Sequence, residues 1–294
     1  MFLTGIADEA GKAIDSQIRA HRELGWPEME LRDVLQSDGQ ADNLHNLPEA
    51  DFRRVEKSVK DAGLHVYCFS SRIANWGKQI DQPFESSLEE ARRAIPRMQA
   101  LDTKYIRIMS FAVRQDTGDQ MEEERFRRLR ELKKMFDDAG LTVVHENCMN
   151  YGGMGWPFML RMIENVPGLK VVFDTGNPVF ADDRSKPRPW PKQSSWEFYR
   201  NVREHIAYVH IKDGVWNEQE KKTRFCFPGE GEGDVVHILH DLVKTGYDGG
   251  ISIEPHMGAV YHDPNSSCPE DLQYTTYVEY GRRMEKLLQI ITSR

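Results

Sequence analysis

Four apolar segments of the chain run into side chains of metal-ligand type: Val143-Val144-His145-Glu146, Val171-Val172-Phe173-Asp174, Tyr208-Val209-His210 and Ile251-Ser252-Ile253-Glu254. Polar residues commonly terminate strands, so one such ending is unremarkable. Four in succession, all carboxylate or imidazole, form a pattern. If these segments are neighbouring parallel strands, their ends lie at one edge of the sheet. Three carboxylates meeting there would repel, and a divalent cation would relieve the repulsion. Glu146, Asp174, His210 and Glu254 are therefore the expected ligands of one divalent ion. Three oxygens with one imidazole favour Mn²⁺, Mg²⁺ or Co²⁺, with Zn²⁺ also compatible.

Other residues near these ends are candidates for holding a substrate. Lys212 lies two residues past His210, so strand alternation puts both on one face. It could grip a hydroxyl, or pair structurally with a carboxylate. His256 shares a face with Glu254 in the same way, as an acid/base or a substrate ligand. His145 neighbours Glu146, and alternation turns it away, toward the covering helices. Glu30 could line the pocket or pair with Arg32. Trp76, Trp156, Trp190 and Trp216 fall in segments expected at the mouth, as pocket walls or packing anchors. Pro228–Asp234 holds three glycines and two glutamates. It is expected to be a flexible turn, too acidic to cradle a phosphate.

The elements that must position these residues follow from periodicity. Short runs rich in Val, Ile, Tyr and Phe predict buried parallel strands at Phe2–Ile6, Glu28–Leu31, His65–Phe69, Tyr105–Met109, Thr142–His145, Lys170–Phe173, Ala207–Ile211 and Gly250–Ile253. Amphipathic patterns lie between them. Phe52, Val55 and Val59 follow Pro48 at helical spacing, and Glu122–Ala139 repeats Phe126, Leu129, Leu132 and Phe136. Asp234 is placed to cap a helix containing Val236 and Leu239. Lys60-Asp61-Ala62-Gly63-Leu64 and Asp137-Asp138-Ala139-Gly140-Leu141 each predict a helix ending at glycine before a strand, and Lys244-Thr245-Gly246-Tyr247 is a looser copy. Eight strand–helix units at about 36-residue spacing favour a closed (β/α)8 barrel, one domain over residues 1–294. No Gly-rich dinucleotide fingerprint follows any strand, which counts against an open sheet. The irregular stretches Met149–Trp156, Ala181–Ser195, Gly214–Asp234 and Met257–Pro269 all follow late strands, so the chemistry is expected at that half of the mouth.

Composition narrows the partners. Hydrophobic residues make up 39% and charged residues 29%, with a formal charge of −8. An acidic chain is a poor match to nucleic acid. No apolar run approaches the ~20 residues of a membrane span. The amino-terminal residues have no basic stretch and read as a first strand, not a signal peptide. Cys68, Cys148, Cys226 and Cys268 are widely spaced, as in reduced thiols. These features predict a soluble, cytoplasmic protein acting on a small molecule, with the number of copies in a homo-oligomer left open.

The set Glu146, Asp174, His210 and Glu254 resembles the metal site of the xylose isomerase-like barrel superfamily. Its members include sugar phosphate isomerases and epimerases, ketose 3-epimerases, hydroxypyruvate isomerases and inosose dehydratases. The resemblance extends through Phe173-Asp174-Thr175-Gly176-Asn177, Val209-His210-Ile211-Lys212-Asp213, Pro228-Gly229-Glu230-Gly231-Glu232-Gly233-Asp234 and Gly246–Glu254, and so covers the chain in order. It implies a sugar or keto-sugar substrate, with Glu146 and Glu254 as catalytic carboxylates. One would remove the proton α to a carbonyl and the other return it, through a metal-stabilised enediolate. Lys212, His256, Asn177, Trp216 and Glu30 become the expected substrate contacts. Many members carry a substrate-contacting histidine where this chain has Asn177, which sets it apart from the epimerase pattern. The same proton abstraction, with a leaving group β to the carbonyl, would give a lyase or dehydratase. A non-catalytic sugar-binding protein would be expected to have lost ligands, and none is missing. An apurinic-site endonuclease would need more histidines than the ten present, and a basic face.

Overall fold

The computed structural model describes residues 1–115, 118–258 and 268–293. Eight parallel strands form the barrel: β1 Phe2–Gly5, β2 Glu28–Leu31, β3 His65–Ser70, β4 Tyr105–Ile108, β5 Thr142–Glu146, β6 Lys170–Asp174, β7 Ile206–Ile211 and β8 Gly250–Ile253. The order is β1-β8-β7-β6-β5-β4-β3-β2, and a parallel bridge between Ile6 and Glu30 joins the two outer strands. This is a (β/α)8 barrel. The long helices outside it are α1 Ile14–Leu24, α2 Glu49–Ala62, α3 Glu85–Ala100, α4 Glu122–Asp138, α5 Trp156–Asn165, α6 Ser195–Val202, α7 Val235–Lys244 and α8 Glu270–Thr292.

The repeated helix-to-strand glycines do what their spacing implies. Gly63 caps α2 in the left-handed conformation (φ 68°), and its N–H reaches back to Lys60 and Val59. Gly140 and Gly246 take the same conformation before the next strands. Asp234 does not cap α7 as expected. It sits at φ 53° with no side-chain bond to that helix, and its carboxylate instead accepts the Trp196 N–H of α6 (3.2 Å). Two antiparallel ribbons decorate the mouth, Asp33–Leu35 with Ala41–Asn43 and Asp213–Asn217 with Lys222–Cys226. The second corrects the expectation that Gly214–Asp234 is irregular throughout. Of the Met257–Pro269 stretch, residues 259–267 lie outside the described residues.

Inside the barrel, side chains are layered. Cys68, Val144, Val172 and Tyr208 form an apolar plug, with Tyr67, Tyr105 and Ala207 packed on it. Register shifts assist this. The β2–β3 pairing skips Tyr67, and the β6–β7 pairing skips Ala207, so adjacent residues on one strand both join the interior. Above the plug the filling turns polar. No described helix is long and apolar enough to cross a membrane.

The α1–α8 seam contains a buried pH-sensitive group. His21 Nδ1 donates to the Glu28 carbonyl (2.8 Å), so its Nε2 accepts from the Tyr277 hydroxyl (3.0 Å). Burial lowers its pKa from 6.5 to about 4, against the pull of the Glu28 carbonyl. The ring stays neutral in the fold while the unfolded chain protonates first. Its contribution is therefore complete above about pH 6.5 and is lost as pH falls toward 4, on the order of 3 kcal/mol. Denaturant titrations of the wild type and His21→Gln should converge or cross over that interval. Parallel curves would remove His21 from the account.

Candidate metal centre at the barrel mouth

Glu146, Asp174, His210 and Glu254 each present a ligand atom within 4.8 Å of the others, and all four are buried. Each is aimed by its surroundings. The Asp174 Oδ1 accepts the N–H groups of Gly176 (2.8 Å) and Asn177 (2.7 Å), which open a single helical turn at Asn177–Phe180. That leaves Oδ2 facing the cluster. Gly176 is required here because a Cβ would collide with Lys212 backbone and side chain. Asn147, just past β5, clamps the Asp174 backbone with two hydrogen bonds (2.7 and 3.0 Å).

His210 is held from beneath. Its Nε2 donates to Glu30 (3.0 Å), and Glu30 also accepts from the hydroxyls of Ser70, Tyr208 (3.0 Å) and Ser252 (2.7 Å). Glu30 is fully enclosed, with its oxygens committed. Glu30, expected among the substrate contacts, sits below the cluster and orients the imidazole. This orients the ring so that Nδ1 points into the centre without a hydrogen-bond partner. It lies 3.7 Å from Glu146 Oε1, 4.0 Å from Asp174 Oδ2 and 3.9 Å from Glu254 Oε2.

The two glutamates are gripped alike. Arg107 Nη1 binds Glu146 Oε2 (2.7 Å), and Arg32 Nη1 binds Glu254 Oε1 (2.8 Å). Asn177 Nδ2 donates to the other Glu146 oxygen (3.0 Å), so Asn177 supports a glutamate of the cluster. Lys212 Nζ spans Glu254 (2.8 Å) and Asp174 (3.1 Å), taking the paired arrangement of the two open to it. His256 sits on the far side. Its Nδ1 meets Glu9 (2.9 Å), and its Nε2 lies 3.9 Å from Glu254. Arg32 also bonds Asp8 and Glu9 (both 3.0 Å), which follow β1.

Electrostatics reflect this crowding. Burial opposes the charge on Glu146, but Arg107 and His210 hold its carboxyl well below the usual range. Burial likewise opposes Glu254, and Lys212, His256 and Arg32 overcome it. Burial raises Asp174 to about 7, against Lys212, with Glu254 and Glu146 adding to the rise. Burial would lower His210, yet Glu30 and Glu146 lift it to about 10. Carboxylates that cannot all carry charge, around an imidazole nitrogen with no hydrogen-bond partner, are the donor set a divalent cation satisfies.

The remaining expected residues, Trp76 excepted, fall elsewhere. His145 donates from Nε2 to Ser110 Oγ (3.0 Å) and packs against Gly152, on the helix side of β5. Burial drops its pKa to about 3. Trp156 bonds Glu197 (3.2 Å) between α5 and α6. Trp76 lines the small cavity over the cluster with Arg32, Arg107, Met109, Glu146, Cys148 and Glu254. Trp216 stands on the mouth ribbon, its indole N–H on Glu218 (2.7 Å). Asp8, Glu9, Arg32 and Arg107 were missed as a network. An arginine inside the apolar run Tyr105-Ile106-Arg107-Ile108 was the available signal.

Pro228–Asp234 is not flexible in the expected way. It wraps the Asp213 carboxylate, which accepts from the N–H groups of Gly214 (2.9 Å), Gly229 (2.8 Å), Gly231 (3.0 Å) and Gly233 (2.9 Å). The loop is an anion cradle occupied by the chain's own aspartate. A Cβ at 231 or 233 would strike that carboxylate, so glycine is needed.

Comparison with known proteins agrees with the barrel fold. The family model described as xylose isomerase-like TIM barrel matches residues 18–277. Among curated proteins no sequence matches. A D-psicose 3-epimerase from Clostridium cellulolyticum H10, solved with D-tagatose, superposes with TM-score 0.68 at 15% identity, over 98% of this chain and 99% of that one. A probable 3-DHS dehydratase from Bacillus anthracis gives 0.65 at 17%, over 94% and 97%. A xylose isomerase-like TIM barrel protein from Mycobacterium smegmatis, in complex with magnesium, gives 0.65 at 15%, over 98% and 97%.

Proposed function

Because the chain belongs to the xylose isomerase-like TIM barrel family, we propose that it is a divalent-metal-dependent sugar isomerase or epimerase that abstracts a proton next to a carbonyl. The observation that carries this is the paired setting of Glu146 and Glu254. They enter from β5 and from the end of β8, each with one oxygen on an arginine and the other toward His210 Nδ1. An ion held by Glu146, Asp174, His210 and Glu254 would polarise the substrate carbonyl. Its identity is open among Mn²⁺, Mg²⁺, Co²⁺ and Zn²⁺. A flat substrate brought against the ion would have both glutamates beside its reacting carbon, one to take a proton and one to return it. Lys212 is placed to hold a hydroxyl or a developing negative charge once an ion draws Asp174 and Glu254 away from it. The epimerase, dehydratase and magnesium-bound neighbours support this reading by their shared fold.

A second reading is β-elimination. Epimerisation needs the ion and two carboxylates, whereas elimination also needs an acid for the leaving group. The His256–Glu9 pair beside Glu254 is such a group. The test is carbon-bound proton exchange in D₂O with keto-hexoses and keto-inositols. Exchange should need metal and cease with chelator. An unsaturated product selects the lyase, and a rearranged sugar selects the isomerase.

Ion binding itself has a readout independent of turnover. Mn²⁺ or Mg²⁺ at about 100 times its Kd should stabilise chelator-treated protein by about 2.7 kcal/mol. The rise in melting temperature should vanish in His210→Gln. A shift of equal size in that variant would place the ion elsewhere.

A further inference from the structure

The cavity directly over the cluster is closed in, with a volume of about 10 Å³, enough for an ion or a single water. Space for anything larger lies to one side. Cys148, in the wall of that cavity, also lines a neighbouring cleft of about 260 Å³ with Met149, Asn150, Phe180 and Gln115. Gln115 and Asp182 in turn line a wider cleft of about 1130 Å³, between the Asp182–Lys192 segment and the Asp213–Cys226 ribbon. Three cavities thus share walls in sequence, from the glutamates outward. The partition nearest the centre is soft. Cys148 Sγ contacts Met109 Sδ (3.6 Å), and a methionine side chain shifts at low cost.

The outer cleft has a definite chemistry. Trp190 and Trp216 both line it, and both are partly exposed. Arg184 and Arg188 lie over the Trp190 ring at 4.5 and 4.3 Å, and Lys192 over Trp216 at 4.1 Å. The cations cover part of each indole and hold it in place, and the rest of each ring faces the cleft. Two positioned indoles in a pocket suit a flat apolar face, and a free hexose lodged at the glutamates would leave them unused.

Resting on the reading of the cluster as a sugar-binding reaction centre, we infer that the substrate is a sugar joined to a second ring, with that ring seated between Trp190 and Trp216. An aryl group and a pyranose share the required face. Either would pass from the inner cleft beside Cys148 into the outer one. The sugar would displace the Met109–Cys148 partition when it enters.

The test is a matched series of binding measurements on the metal-loaded protein with methyl β-D-glucopyranoside, cellobiose and 4-nitrophenyl β-D-glucopyranoside. At least one ring-bearing probe should bind about tenfold more tightly than the methyl glycoside. That ratio should fall toward one in Trp190→Ala and in Trp216→Ala, and be largely kept in Trp190→Phe. Preference for the nitrophenyl probe alone identifies an aryl group, and equal preference for cellobiose identifies any flat ring. A ratio near one in the wild type, a ratio that survives both alanine variants, or no binding of any probe overturns the inference. The D₂O exchange test fails or succeeds separately. Exchange on free keto-hexoses with no ring preference keeps the reaction and discards the second ring. Ring preference without exchange does the reverse.

Discussion

Glu254→Gln should lower metal-dependent exchange of a carbon-bound proton by about 10² to 10⁴-fold, the range for loss of a positioned general base. Glu146→Gln should cause a loss of the same order. The amide keeps the shape of the side chain and can still accept from Arg32 or Arg107, so circular dichroism should be unchanged. What goes is the negative charge opposite His210 Nδ1 and the capacity to take a proton. Both glutamates have strongly lowered pKa values, so at neutral pH they are ionised and ready to act as bases. That same stabilisation makes them weak bases, and the reaction depends on the ion to acidify the carbon. Exchange in wild type should therefore stop with chelator as completely as in the variants. Wild-type exchange in both glutamine variants would move the chemistry to other residues.

The second large effect concerns stability. Arg32 is buried and bonds Asp8, Glu9 and Glu254 together. Arg32→Met should destabilise the protein by about 3–5 kcal/mol, because it leaves three buried carboxylates facing one another without that cation. The loss should be greatest in chelator-treated protein, where no ion shares the load. Arg32→Lys keeps a charge but cannot reach all three partners, so it should fall between. Arg283→Met, at an exposed pair with Glu230 and Glu279, is the control and should change little. Denaturant melts measure each. A loss below about 1 kcal/mol for Arg32→Met would show that the carboxylates find other compensation.

Strand positions were legible because buried parallel strands are short, continuous apolar runs. Glu28–Leu31 and Gly250–Ile253 were read to the residue, and the other six barrel strands within one position. Ligand-type residues at the strand ends were visible because a parallel barrel carries every strand end to one face. Asp234 and Pro228–Asp234 were misread for a shared reason. Local rules assign a capping aspartate to the helix that follows and a glycine-rich run to flexibility. Here the partners are distant in sequence: Trp196 for Asp234, and Asp213 for the glycines.

From the amino-acid sequence alone came the barrel, the order of its strands, the residues at their mouths and the metal-ligand character of four of them. These depend on hydrophobic period and on chain direction, both local properties. Tertiary structure alone decided which charge meets which. Alternation gives the face on which Glu30, Arg32, Arg107 and Lys212 lie, but not how far each reaches across the barrel. Closure puts Glu30 under His210, though 180 residues separate them, and brings Arg32 to Glu254 across 222. Those separations carry no sequence signal, because a salt bridge or hydrogen bond is selected by distance and burial in the folded chain. The clefts beside the centre likewise arise from loops of different strands packing side by side, a property no single segment contains.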